Sequence, residues 1–460
     1  MNTITKVNNL LLIEIDDFLS DTEIDKILNT RKQSFEKAIT HYPNYYRNND
    51  RIVENNIALS SYLFRKLKHL KIPCIVTKIT GINDKIRFCR YQEDQLFSKH
   101  QDGVYYPNST YESKFTFLLY LNDNTCFDNG ETMFYKSKTD NQPVKTIHPR
   151  KGKLLIFDHK IWHTGAKVTK GNKYILRSDI FIKSSNQKSD HHQGYIWDLL
   201  KLNKKEFLSC GRDKKIKRWN TNLTLLSTME FHSKSIFKMI HFQNNEFISC
   251  SRDFTIKKWN TSGEVLSSIR LKEMILNLVC FQNNLIIAAG TSGNIYLLDT
   301  TLTLIKTIQV HHHWIWGLSI MGNKIISCCE DGNICITDMF SKTKASRIVY
   351  KYDQPLFCLN TEKNDLILAG SKDGTLIEFS TITKKITRTK VHSDIIRSII
   401  YHNQKKIITC GDDNKVISID RSSKKTKEIL VANNFLQDII IIKDKLYAAG
   451  YDGVILHHQL

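Results

Sequence analysis

Three side chains stand out for chemistry they could share. His100 and Asp102 are separated by Gln101, and His163 follows 61 residues later in Ile161-Trp162-His163-Thr164-Gly165. On a strand, the period of two puts His100 and Asp102 on one face. Two imidazoles and a carboxylate on one face of an octahedron bind Fe(II) and leave three positions open, the arrangement of non-haem iron oxygenases. A His-x-Asp pair alone is a weak signal, because a satisfied polar pair has the same spelling. His148, before the turn residue Pro149, and His159, after Asp158, read as surface or hydrogen-bonded side chains. A zinc cluster is disfavoured, since neither a Cys-x-x-Cys nor a helical His-Glu-x-x-His accompanies these residues.

The elements that must position the three follow from local pattern. A short apolar strand, Leu11 to Ile15, precedes Ser20-Asp21-Thr22-Glu23, a capping box that opens a helix running to about Lys37. A second helix covers about Asn56 to Leu70. From Lys85 the pattern changes to strands at Ile86–Tyr91, Phe115–Leu121, Lys153–Phe157 and Tyr174–Ile182. Asp128-Asn129-Gly130, Pro149-Arg150-Lys151-Gly152 and Lys170-Gly171-Asn172 supply turns between them. Helices followed by antiparallel β-structure are therefore expected before residue 185.

The order of motifs here resembles the prolyl 4-hydroxylase-like branch of the 2-oxoglutarate and Fe(II)-dependent dioxygenases. The pieces that carry the resemblance are Arg90-Tyr91, Phe97, His100-Gln101-Asp102, Thr116 to Asn122, Asn129-Gly130-Glu131-Thr132, Pro149 to Gly152, and His163 to Gly171-Asn172-Lys173. Ile15 to Ser20 is similar to that family's first strand and helix, so the likeness spans nearly all of residues 10–182. Asn129 departs from it, standing where the family generally has a second glycine.

The resemblance implies a double-stranded β-helix (jelly-roll) oxygenase with flanking helices in residues 1–185, its metal-binding core at about 85–182. It implies His100, Asp102 and His163 as iron ligands. The cosubstrate's distal carboxylate needs a buried cation, since an unpaired buried charge costs several kcal/mol. Lys173, ten residues past His163, sits where the family places that cation. Arg177, four residues on along the same strand face, could grip a carboxylate at two points. Tyr91 matches a tyrosine lining the cosubstrate pocket, with an ordinary core aromatic as its other reading. The implied reaction converts 2-oxoglutarate and O2 to succinate and CO2 while hydroxylating a substrate C–H bond, with ascorbate as an expected auxiliary and prolyl side chains heading the targets.

Beyond residue 190 the chain repeats. Turn positions Asp213, Asp253, Ser292, Asp331, Asp373, Asp413 and Asp452 recur with partner positions Trp219, Trp259, Leu298, Thr337, Phe379, Ile419 and His458. Steps of 40, 39, 39, 42, 40 and 39 residues in both series make this a register. A period near forty signals a radial β-propeller. His192, Ser209, Asp213 and Trp219, recurring as His232, Ser249, Asp253 and Trp259 and in part as His392, Thr409 and Asp413, resemble the WD-repeat family, in which such side chains form a structural hydrogen-bonded network. Units three and five lack the histidine, and Ser292 replaces an aspartate, so those units are expected to be less rigid. The fold class is thus α+β then all-β, a seven-bladed WD-repeat propeller filling residues 186–460. Ser184 to Asp190 is polar and unpatterned, and residues 185–191 are either a tether or the strand that closes the propeller. Trp197, Phe237, Trp316, Phe357 and Arg397 fall near one register and either line a peptide-binding rim or belong to the core.

Composition narrows the partners. The net charge of +21 divides as +9 over residues 1–186, from 29 Lys/Arg and 20 Asp/Glu, and +12 over the rest. Spread so evenly, it describes solvated lysines better than a polyanion site, and nucleic acid is disfavoured as a partner. The apolar run Leu10 to Ile13 meets Glu14, Asp16 and Asp17 at once, so neither a signal peptide nor a membrane span is read. Eleven cysteines, four of them at one strand position of the repeats, fit reduced thiols in a cytoplasmic setting. These features favour a hydroxylase whose propeller recruits a protein substrate or partner. The alternatives are a WD-repeat scaffold with an inactive oxygenase-like module, or an oxygenase acting on nucleic acid.

Overall fold

Alternation along the strands sorts the side chains of the first unit into two cores. The computed structural model describes residues 2–32, 34–37, 47–70, 72, 78–105, 107, 110–183, 190–243, 246–341, 346–362, 365–403 and 405–460. The chain divides into two units, Met1–Ser189 and Asp190–Leu460.

The first unit opens with a hairpin of β1 (Asn2–Val7) and β2 (Leu10–Ile15). Asn8 and Asn9 join them with φ of 48° and 64°, the left-handed pair that a two-residue turn demands. Helix α1 (Asp21–Asn29) starts at Ser20, whose hydroxyl accepts from the Glu23 amide while Glu23 accepts from the Ser20 amide. It ends eight residues before the expected Lys37. The apolar stripe of Ile24, Ile27 and Leu28 is not continued, and Arg31 donates to the Ile27 carbonyl at 2.6 Å while pairing with Glu54. Glu36–Lys37 instead form β3, against β4 (Asp50–Asn55). Helix α2 (Ile57–His69), capped by the Asn56 side chain, lies where the sequence puts it.

The strands that follow are β5 (Ile79–Ile82), β6 (Lys85–Tyr91), β7 (Phe97–His100), β8 (Tyr111–Tyr120), β9 (Phe127–Asn129) and β10 (Thr132–Tyr135). After them come β11 (Lys145–Ile147), β12 (Leu154–Asp158), β13 (Trp162–Gly165), β14 (Val168–Gly171) and β15 (Lys173–Lys183). The main sheet runs β1-β2-β12-β8-β15-β6-β4-β3, with β5 also on β15; a second runs β11-β10-β13-β7, and β9 pairs with β14. Phe117, Leu119, Leu154 and Ile156 point to one side of the main sheet and meet Ile24 and Leu28 of α1 and Leu63 and Leu67 of α2. Their neighbours Leu118, Tyr120, Leu155 and Phe157 point to the other side and meet Phe97 and Phe134 of the second sheet. A one-residue slip would exchange these two sets.

Among the described residues, six four-stranded sheets and one three-stranded sheet, all antiparallel, make up the second unit and resemble propeller blades. Their first strands neighbour one another in order, and Ile196–Lys201 of the first lies beside Leu436–Ile442 of the seventh. Residues 184–189, the expected linker and much of the possible closing strand, lie outside the described residues; Asp190 and His191 form a turn and a bend. The described join between sheets seven and one combines a backbone bond, from the His192 amide to the Gly453 carbonyl at 3.2 Å, with side-chain bonds. Asp438 accepts from the Leu199 amide at 2.9 Å, and the Tyr447 hydroxyl donates to the Thr221 carbonyl at 2.7 Å.

The repeat network is present. His192 bridges Asp213 at 2.9 Å and the Ser209 hydroxyl at 2.6 Å, and the Trp219 indole donates to the same hydroxyl. His232 and His392 do the same with Asp253 and Ser249, and with Asp413 and Thr409. Units three and five are not left without such a knot. In the third, Glu273 accepts from Ser292 and from the Tyr296 hydroxyl; in the fifth, the Tyr352 hydroxyl donates to Asp373. The sequence signal was missed because other residue types fill the role.

Removing the Ser249 hydroxyl leaves His232 and Trp259 without their shared partner, so Ser249→Ala is expected to lose about 1–3 kcal/mol, read as a lower urea midpoint with unchanged slope. Burial by itself would raise the carboxyls of Asp213, Asp253 and Asp413, but their histidines and turn amides hold all three below the ordinary aspartate value. A depressed carboxyl stabilises the fold above its unfolded value and stops doing so as pH falls through its folded one. Denaturant titrations from pH 5 downward should therefore show stability declining once pH drops below about 4.

Candidate metal centre

Strand register brings the three predicted side chains together. His163 on β13 is the Cα partner of both His100 on β7 and Phe134 on β10. Asp102 lies two residues past β7, its amide donating to the His159 carbonyl at 3.0 Å. The His100 Nδ1–H donates to the Ser98 carbonyl at 2.6 Å and the His163 Nδ1–H to the Ile161 carbonyl at 2.9 Å. A carbonyl can only accept, so each ring carries its proton on Nδ1 and turns the Nε2 lone pair inward. Those Nε2 atoms lie 3.6 Å from Asp102 Oδ1 and 3.6 Å from Oδ2 respectively. One ligating atom from each residue falls within 4.8 Å of the other two. Phe97 stacks on His100 with centroids 3.5 Å apart, and Phe157 meets His163 edge-on at 4.7 Å.

Charge in this buried cluster is lopsided. Burial pushes both imidazoles down, His163 to about 3, so they are neutral donors. Burial would raise the Asp102 carboxyl, but Arg177 above all, then His163, hold it well below the usual carboxylate range. Arg177 ion-pairs with Asp102, and the Thr116 hydroxyl donates to the same carboxylate. Two neutral nitrogens and an ionised oxygen facing one point fit a divalent first-row metal. A His-Asp-His facial triad consistent with Fe(II) is thus present in the fold.

A pocket opens beside the triad, lined by Arg47, Cys89, Tyr91, Phe97, His100, Leu118, Thr132, His163, Gly165, Lys173, Ile175 and Arg177. Lys173 and Arg177 share one face of β15, four residues or about 13 Å apart along the strand. Arg177 is at the triad end. Lys173, 2 % exposed, is the Cα partner of Tyr91, with its ammonium 5.3 Å from the Tyr91 ring and 5.5 Å from that of Tyr120. Its hydrogen bond runs to the Gly130 carbonyl, and among the described residues no carboxylate forms an ion pair with it. Burial pushes its ammonium down to about 8. A Cβ on Gly130 would stand 3.2 Å from the Lys173 side chain, so the glycine makes room for it. Asn129, the departure from the family's glycine, takes φ of 61°, which asparagine tolerates better than other side chains.

His159 differs from its sequence reading. It is 1 % exposed, both ring nitrogens lack a hydrogen-bond partner, and Nε2 is 3.9 Å from Asp179. The chain turns inward after Asp158, which a loop-like spelling does not reveal. His148 is exposed, 3.6 Å from Glu131. Thr116 and Asp179 were not singled out; both are Cα partners across β8 and β15, and inward alternation on those strands was the available signal.

Comparison with known families agrees with this geometry. Residues 86–178 match the profile of the 2OG-Fe(II) oxygenase superfamily, which takes in all three ligand candidates and Lys173. Residues 223–260 and 302–338 match that of the WD domain, G-beta repeat. The chain therefore carries a 2OG-Fe(II) oxygenase-superfamily domain fused to WD repeats. A search of curated proteins returns no match. Among solved structures, the crystal structure of the WD40 beta propeller domain of Doa1 aligns with a TM-score of 0.53 at 13 % identity, covering 58 % of this chain and 93 % of that one. At that identity the likeness speaks to fold alone. Among the described residues no helix is long and apolar enough to cross a membrane.

Thr116→Val keeps the shape of the side chain but removes its hydrogen bond to Asp102. Outer partners of metal ligands are typically worth about 10–100-fold in affinity, so Co(II) titration of this variant should show weakening in that range while the far-ultraviolet dichroism is unchanged.

Proposed function

We propose that the protein is a 2-oxoglutarate- and Fe(II)-dependent dioxygenase that hydroxylates a side chain of a protein substrate, prolyl by preference, and that residues 186–460 form a seven-bladed propeller recruiting that substrate or a partner. The observation that carries the reading is a pocket with the His100 and His163 imidazoles, beside Asp102, at one end and at the other a buried lysine that forms no ion pair with a carboxylate among the described residues. His100, Asp102 and His163 would hold the metal. When bound, Fe(II) with 2-oxoglutarate and O2 supplies the oxidising chemistry, releasing succinate and CO2.

The rest falls to this chain's side chains. Ser98 and Ile161 carbonyls fix the tautomers of the two histidines, and Thr116 and Arg177 fix the carboxylate. Lys173 is the favoured holder of the distal carboxylate, because it is buried and has no anion of its own. Arg177 remains the second candidate, though its guanidinium is engaged by Asp102. Tyr91 borders the same space and limits how the cosubstrate lies. Phe97 and Phe157 keep water from the faces of the histidines. Support for a jelly-roll core comes from the two antiparallel sheets enclosing the site, and support for the prolyl preference from the motif resemblance. Ascorbate is proposed as the auxiliary reductant of that branch. Ten cysteines of the described residues are free, most of them buried, which supports a cytoplasmic setting.

The recruiting rim has a structural basis. Trp197, Phe237, Trp316, Phe357 and Arg397 each sit at a register shift in the first strand of their sheet. Bulges re-aim side chains. Trp197 meets Phe237 at 5.3 Å, Trp316 meets Phe357 at 5.6 Å, and Arg397 lies 4.9 Å over Phe357. An inactive scaffold is the weaker reading, because the ligand set is intact.

Succinate release with Fe(II) and 2-oxoglutarate tests the enzyme reading. Wild type should turn over and His163→Ala should not; equal background in both would remove it. Lys173→Met should raise the KM for 2-oxoglutarate by about tenfold or more, the scale of a lost buried charge-assisted hydrogen bond. Since the Lys173 ammonium loses its proton near 8 in the free protein, the wild-type KM should climb as pH rises through that value, and in Lys173→Met that rise should be absent.

A further inference from the structure

The seven repeats serve as an internal control on what the fold requires at each position. Two residues before the turn position, six repeats have glycine or serine, and four residues after it they have lysine, tyrosine, isoleucine or leucine. The fourth repeat alone has cysteine at both, Cys329 and Cys335, flanking the turn residue Asp331. Neither thiol is therefore demanded by the repeat.

Both thiols gather on one histidine. His311 is 2 % exposed, Cys329 0 % and Cys335 1 %. His311 Nε2 and the Ser327 hydroxyl are hydrogen-bonded at 2.9 Å, which fixes the ring and directs Nδ1 at Asp331 and Cys335. The Nδ1 to Asp331 distance is 3.3 Å, the longest of the four histidine–aspartate contacts in the repeats, and Cys335 Sγ lies 4.0 Å from the same nitrogen. His311, Cys329 and Asp331 each bring one ligating atom within 4.8 Å of the other two. In a tetrahedral zinc site, ligand atoms stand about 3.3–3.8 Å apart, so closure draws these three together and brings Cys335 in by rotation of its side chain.

We propose that the fourth sheet holds a structural Zn(II), bound by His311 Nδ1, Asp331, Cys329 and Cys335. Two thiolates with an imidazole select zinc over the harder ions that prefer oxygen. Binding releases the two thiol protons to solvent. Zinc there pins the second and third strands of the sheet to the turn before its first strand.

Cobalt titration of the reduced, full-length protein tests this. The His100, Asp102 and His163 centre contains no sulfur, so a thiolate-to-cobalt charge-transfer band can report only cysteine ligation. Two equivalents of Co(II) in wild type, and one in His163→Ala, should produce that band, and Zn(II) should bleach it. The double variant Cys329→Ser, Cys335→Ile takes the residues that the fifth repeat carries at Ser371 and Ile377, and should lose the band while keeping the metal-free unfolding midpoint. No band in wild type, or a band that survives in the double variant, overturns the proposal. Alkylation of wild type in mild denaturant gives an answer independent of the variant's folding: zinc should protect Cys329 and Cys335 together, and equal labelling with and without zinc overturns the site.

Discussion

Asp102 carries a negative charge almost out of reach of water, and a carboxylate so placed either finds cations and donors or takes up a proton. Everything around it answers that demand. Arg177 reaches it from β15, Thr116 from β8, and the imidazoles of His100 and His163 face it from the second sheet. Four strands from two sheets are thereby committed to one oxygen pair. Arg177 in turn sits near Asp179, which Arg87 and Asn83 also hold. A chain of alternating charges thus runs from the site into the main sheet, so the ligand geometry inherits the stiffness of the sheet. Lys173, at the other end of the pocket, forms no ion pair with a carboxylate among the described residues.

Much of this was legible because the signals are short-range. His100-Gln101-Asp102 is a weak signal by strand period alone, and the motif resemblance gives it weight and places Lys173 ten residues past His163. The main-sheet strands showed themselves by alternation that buries both faces. Helix α1 was overextended because a capping box marks where a helix starts and says little about where it stops; the end depended on Arg31 finding Glu54, a contact across 23 residues. The strands of the second sheet, three or four residues each, are too short to show a period. His159 and Thr116 owe their positions to pairing between distant strands, which no local spelling records.

The repeats were legible for a different reason. Seven copies in register average out the noise of any one, so even units with weak spelling could be placed. What the averaging hid was substitution of one residue type for another in the same job. Glu273 and Tyr296 rebuild in the third sheet what a histidine and an aspartate do in the first, and Tyr352 does so in the fifth. The exceptions are informative: Cys329 and Cys335 depart from what the other six repeats carry at those positions, so the repeat pattern does not by itself account for them.

The join between sheets seven and one has a consequence for how the ring lives with thermal motion. Strand-to-strand ladders fail cooperatively, whereas a join made of the Asp438 carboxylate, the Tyr447 hydroxyl and the His192 amide can slip one bond at a time, and the other sheets are joined by single bonds of the same kind. Local opening follows the least protected backbone bonds. Breathing should therefore run along the joins between sheets, where bonds part singly, before it unzips the ladders within any one sheet.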